Sequence, residues 1–252
     1  TLSPVMFRST LPQGAPDLMR VSEFRRYLDE LDQGHGTDAA NSRLTSLSPS
    51  LLQDLQRFEQ RGQQSELLEV LAAAVRHGQP LAIHLQWGDQ VVTLTIFPAQ
   101  KLAHCALPMH RFMASRLSDL QVLQVERATL RTPGEGPQGL VGDAELYAPL
   151  APVLWAMAMR GARDTLLPEI AGQAAYRVAP GVSFDGMDLP TVLSRAITRL
   201  RRQTSNLREI CDFSGMDRER AQRLLNGIYL QAGLIVSRTH PAATNEGWLG
   251  YR

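Results

Sequence analysis

The side chains here that could do chemistry fall into a few sets, each with a demanding spacing rule. His84, His104, Cys105 and His110 carry the imidazole and thiol groups that bind zinc. Zinc sites take closely spaced ligand pairs, whereas adjacent strand positions 104 and 105 point to opposite sheet faces. The set reads as edge histidines plus one core-filling cysteine, and no metal is expected. Gly134 to Gly139, GEGPQG, has the form G-x-G-x-x-G that cradles a dinucleotide pyrophosphate. That use needs a strand, a tight turn and a helix whose amides face the phosphates. Pro133 and Pro137 interrupt it and Leu140-Val141-Gly142 starts no helix, so a linker is expected and no cofactor. Asp185 with Asp188, or Asp164 with Glu169, could act as paired carboxylates, but loop acids of this kind serve as turn formers and caps. No G-x-S-x-G elbow, H-E-x-x-H pair or phosphate-binding P-loop occurs. The expectation is a protein that is not an enzyme.

Charge offers a different chemistry. The net charge of +1 over 252 residues gives no overall pull toward nucleic acid, membrane or acidic substrates. Lys101 is the only lysine, so the other cations are arginines. Arginine and alanine codons are GC-rich, so this bias reads as a bacterial genome's composition before any preference for the guanidinium fork. Apolar residues make up 44%, ordinary for a globular chain. Cys105 and Cys211 suggest neither a disulfide framework nor a redox pair, which fits a cytoplasmic setting. The longest apolar run, Ala148 to Met159, is broken by Pro149 and Pro152 and falls short of the roughly 20 residues that cross a bilayer. No membrane association is expected, and Arg8 with nearby prolines argues against a secretory signal.

The elements that must position these groups follow from periodicity. Residues 1–131 read as an α+β domain. An irregular arm, Thr1 to Asp17, precedes a helix near Ser22 to Leu31, and a polar loop spans Gly34 to Ser42. Helices start at Ser48-Pro49 and Ser65, the latter ended by Gly78. Leu81, Ile83, Leu85 and Trp87 then alternate with small or polar residues, and Val91 to Phe97 is rich in β-branched residues, which predicts a hairpin. Leu102 to Leu107 and Gln121 to Arg127 add strands, with a short helix, Met109 to Leu117, between them. The sheet should be small and mostly antiparallel. Residues 132–142 have the Gly and Pro density of a linker, and 143–252 read as a mainly helical second domain. Its first helix, Pro149 to Met159, is apolar nearly all round and so belongs in a core or an interface. A helix over Asp164 to Ile170, a strand near Tyr176 to Val178 and a helix from Pro190 follow.

The richest stretch is Ser205 to Arg238. Asn206 and Glu209 have the spacing of a capping box, and Ser214-Gly215 ends the helix they open. Asp217 caps the next, in which Ala221, Leu224, Leu225, Ile228 and Ala232 recur at helical spacing. Gly233 falls where a left-handed residue would stop it, and Leu234-Ile235-Val236 leads out as a strand. The helix period places Glu219, Arg223 and Asn226 opposite the apolar stripe, with Arg220 and Gln222 flanking and Leu230 also projecting from the polar side.

Three helices, a strand, a loop from Thr239 to Glu246 and a last strand-like piece, Trp248 to Arg252, make an order that resembles the winged-helix branch of the helix-turn-helix proteins. Leu207, Ile210, Gly215, Leu224, Leu225 and Gly233-Leu234-Ile235 carry the resemblance, which covers about 190–252. It implies that the second helix enters a major groove. Arg220, Gln222, Arg223 and Asn226 would then face base edges, because Arg, Gln and Asn forks read guanine and adenine. Arg238, Arg199, Arg201 and Arg202 would meet phosphates. Asp212, Asp217 and Glu219 stand close to where phosphate would lie. Winged helices also serve as docking modules, and Glu219, Arg223 and Leu230 would form that alternative face. The expected function is that of a non-enzymatic regulator binding DNA, or else of an adaptor docking a protein, while the first half receives an unidentified partner or signal.

Overall fold

Alternation of apolar and small or polar residues over 81–87 and 90–97 suits a strand pair buried unequally on its two faces. The structure, a computed structural model, describes residues 18–34, 48–60, 66–133, 140–141 and 143–243. The expected hairpin forms: β1 (Leu81–Trp87) pairs antiparallel with β2 (Gln90–Phe97), Leu81 opposite Ile96 and Trp87 opposite Gln90. β3 (Leu102–Cys105), β4 (Gln121–Arg127) and β7 (Tyr147–Pro149) complete a sheet of order β4-β1-β2-β3-β7, antiparallel at every pairing. Two short strands, β5 (Leu130–Arg131) and β6 (Leu140–Val141), pair in parallel beside it. Leu81, Ile83 and Leu85 join the main core. Ala82 and His84 on the other face are also buried, under α1 (Val21–Gly34), whose Phe24 ring lies 5.1 Å from that of His84.

α2 (Pro49–Gln60) and α3 (Leu67–His77) pack together, and Gly78 ends α3 at φ 64°, a left-handed position that glycine takes without strain. α4 (Met109–Ala114) is followed by a single 3₁₀ turn, Leu117–Asp119, rather than continuing through Leu117. The side chains of Leu31, Leu55 and Phe58 lie outside the described residues, as do the arm, the polar loop, the GEGPQG stretch and the Trp248 to Arg252 piece.

The apolar helix α5 (Leu150–Arg160) lies against β3 and the Leu117–Asp119 turn on one side. Its other sides meet α3 and α8 (Arg218–Leu230). The all-round apolar composition is thus explained, since every face has a partner. The expected division at 132–142 is crossed by main-chain pairing: β7, beyond it, bonds to β3, before it. Buried side chains from both halves form one continuous core.

In the last third, β8 (Ala175–Val178) precedes α6 (Thr191–Arg202), α7 (Leu207–Ser214), α8 and β9 (Leu234–Ser237). β9 pairs antiparallel with β8, while Tyr176 on the other edge of β8 bridges to Ser205 between α6 and α7. The class is α+β. The helix expected over Asp164 to Ile170 does not form. Asn226 accepts from the Leu167 N–H and donates to the Thr165 carbonyl, and Arg163 donates to the carbonyls of Thr165 and Leu166. Those side chains take the backbone groups a helix would use.

Candidate functional site

Most of the predicted site residues sit on α6 and α8, and local capping fixes the ends of α7 and the start of α8. Asn206 and Glu209 form the expected reciprocal box: Asn206 Oδ1 accepts from the Glu209 N–H at 2.9 Å, and the Asn206 N–H reaches Glu209 Oε2 at 3.0 Å. Gly215 (φ 69°) ends α7, and Asp217 caps α8 through the Arg220 N–H at 2.7 Å. The end of α8 differs from expectation. The left-handed residue is Ala232, φ 53°, not Gly233. Gly233 is required for a different reason: a Cβ there would meet a Val182 methyl at 2.8 Å.

α8 carries the expected apolar stripe, with Ala221, Leu224, Leu225 and Ile228 all fully buried. Its opposite side is also covered, because α5 and the loop after it lie there. Asn226 has no exposed surface and is clamped between Leu167 and Thr165, so it is not a base-reading side chain. Arg223 is 15% exposed at its side chain, paired with Glu219 at 3.1 Å and donating to the Gly161 carbonyl at 2.8 Å. It closes the C-terminus of α5 and does not project into solvent. Leu230, 2% exposed, is a core residue, which removes it from any docking face. Glu219 and Arg220 remain exposed and Gln222 is half-buried. Arg238 is exposed but donates to the carbonyls of Glu169, Ala171 and Gln173.

The arginines of α6 stand differently. The helix has no acid, and Arg195, Arg199 and Arg202 line an open recess along it with Leu189, Thr191, Ser194 and Thr198. The Arg199 guanidinium lies 4.2 Å from the centre of the Phe213 ring of α7, within cation–π range. Arg201 points elsewhere, donating to the Val182 carbonyl at 2.6 Å beside the Phe184 ring. The acids expected nearby are engaged: Asp212 with Arg208 at 4.0 Å, Asp217 as a cap and Glu219 with Arg223. Arg195 was not singled out by base-reading logic. Its signal was the helical spacing of 191, 195, 198, 199 and 202 in a segment without acids.

The other chemical sets are dispersed. His84 is held by Thr93 at 2.9 Å and Glu126 at 3.0 Å, while His104 and Cys105 face Thr95 and Leu94 on β2. Burial pushes the Cys105 thiol up to about 12, so it is not a nucleophile near neutral pH. Asp185 accepts from the Ser183 hydroxyl in a local turn, and Glu169 pairs with Arg76 at 2.5 Å. Among the described residues no group of three His, Cys, Asp or Glu side chains could hold a metal ion, and no helix is long and apolar enough to cross a membrane. No protein-family model, curated protein or solved structure matches this chain.

Proposed function

We propose that this chain acts by binding nucleic acid, gripping the phosphate backbone through the arginine face of α6. The observation that carries the reading is the acid-free face itself, where Arg195, Arg199 and Arg202 share one recess on one helix. Three cations in a row along a helix suit a backbone that carries a negative charge at every step. On this reading the described part of the expected 190–252 winged-helix unit is completed by β8, which comes before it in the chain and supplies the strand beside β9. Its α8 is a structural helix, because α5 covers the side that would face a groove. Phosphate contacts position a protein without reading sequence, so binding should be nearly indifferent to sequence.

Anisotropy of a labelled duplex at low salt tests this. Arg195→Ala, Arg199→Ala and Arg202→Ala should each weaken binding to unrelated duplexes by a similar factor, and Gln222→Ala should leave sequence preference unchanged. Duplex binding absent at low salt, or untouched by all three changes, overturns the proposal. The adaptor alternative is favoured by one observation. Ile235 on β9, 46% exposed, is the one large hydrophobic side chain left exposed among the described residues. A protein partner captured by the wild type and lost with Ile235→Glu would support that alternative.

A further inference from the structure

A second recess lies away from α6, between the N-terminus of α3, the Leu117–Asp119 corner with the start of β4, and the C-terminus of α5. Its volume is about 170 Å³, and Leu67, Leu68, Leu117, Leu120, Val122 and Met157 make most of its wall. A dry apolar cavity of about 150 Å³ is large enough for a benzene-sized molecule. The polar side chains of the wall are Glu66, Gln121 and Arg163. All three nitrogens of the Arg163 guanidinium are engaged: Nη1 meets Glu66 Oε2 and Glu69 Oε1, Nε donates to the Thr165 carbonyl and Nη2 to the Leu166 carbonyl. Glu66 is not fully used. Its second oxygen, Oε1, is buried with no hydrogen-bond partner among the described residues, and as the residue before α3 it makes no side-chain capping bond.

An unpartnered buried carboxylate oxygen is costly, and such a group in a native structure calls for an explanation. We propose that this recess binds a small primary amine, its ammonium donating to Glu66 Oε1 and its compact apolar body lying among the leucines. The charge count favours a cation over a neutral donor. Glu66 and Glu69 both pair with the single guanidinium of Arg163, Asp164 adds a third negative charge acting on Glu66, and burial pushes the Glu66 carboxyl above its ordinary value. An ammonium would offset that excess of acid. The recess also touches the last part of the fold, since Gly161 in its wall accepts from Arg223 of α8.

Calorimetry with benzylamine, benzyl alcohol and benzoate on the intact chain tests the proposal. Benzylamine should bind with a Kd on the order of 1 mM or tighter, as expected for so few atoms, with benzyl alcohol weaker and benzoate not bound. Glu66→Gln should weaken benzylamine by about tenfold or more, the scale of a lost charged hydrogen bond, and leave benzyl alcohol unchanged. Leu120→Trp, which fills the recess, should abolish both. Thermal melts of each variant separate a lost site from a lost fold. Benzylamine binding no tighter than benzyl alcohol, or equal in the Glu66→Gln protein, overturns the proposal.

Discussion

Asn226 holds a loop that has no regular structure of its own, reaching partners some sixty residues back in the chain. Removing its amide leaves the buried Leu167 N–H unpaired, at a desolvation penalty, and takes one of two donors from the Thr165 carbonyl, which keeps Arg163. Asn226→Ala should therefore destabilise the protein by about 1–3 kcal/mol in urea unfolding, with duplex affinity unchanged in the folded population. A neutral stability effect would contradict the clamp. His104 gives a second test at this scale. It sits 4.8 Å from the Tyr147 ring, buried, with neither ring nitrogen hydrogen-bonded among the described residues. Burial lowers its pKa below the ordinary 6.5, and the charge of Asp143 only partly offsets this. The unfolded chain then binds the proton more readily than the folded one. The His104 contribution to stability is full above about 6.5 and is lost as pH falls through the lowered folded value. Melts from pH 7.5 down to 5 should show this loss, and His104→Phe should flatten it. An unchanged slope in that variant would contradict the assignment.

The contact of α5 with α8 decides what the last helices can do. Gly227 on α8 lies against the Trp155 ring, where a Cβ would stand 2.9 Å from ring carbons. Gly227→Val should destabilise by about 1–3 kcal/mol through overpacking, visible as a shift in the Trp fluorescence transition. An unchanged midpoint would mean that the helices are not so closely packed. This contact also explains what could be read in the sequence. The caps at Asn206, Asp217 and Gly78 and the β1–β2 hairpin were legible because their partners lie within a few residues or across a tight turn. The roles of Arg223, Asn226 and Leu230 were not. A single helix with one strong apolar stripe looks as though its other side faces water, and the covering element, α5, lies some seventy residues earlier. The available hint was α5 itself, whose lack of a polar face called for partners on every side.

For the whole molecule, one core runs through both halves and β7 bonds across the expected boundary at 132–142. Unfolding should then be a single transition in which Trp fluorescence and far-ultraviolet circular dichroism coincide. Two separate transitions would instead support two independent domains. The proposed role of the intact fold is phosphate binding by the arginines of α6, with no base-reading helix. It is tested most directly by the salt dependence of duplex binding. Three phosphate contacts release about three counterions, so log K should fall against log salt with a slope of about −3. The slope should ease by about one unit with each of Arg195, Arg199 and Arg202 removed, to the same extent on unrelated sequences. A slope near zero, or one unaltered when those arginines are replaced, would contradict the account.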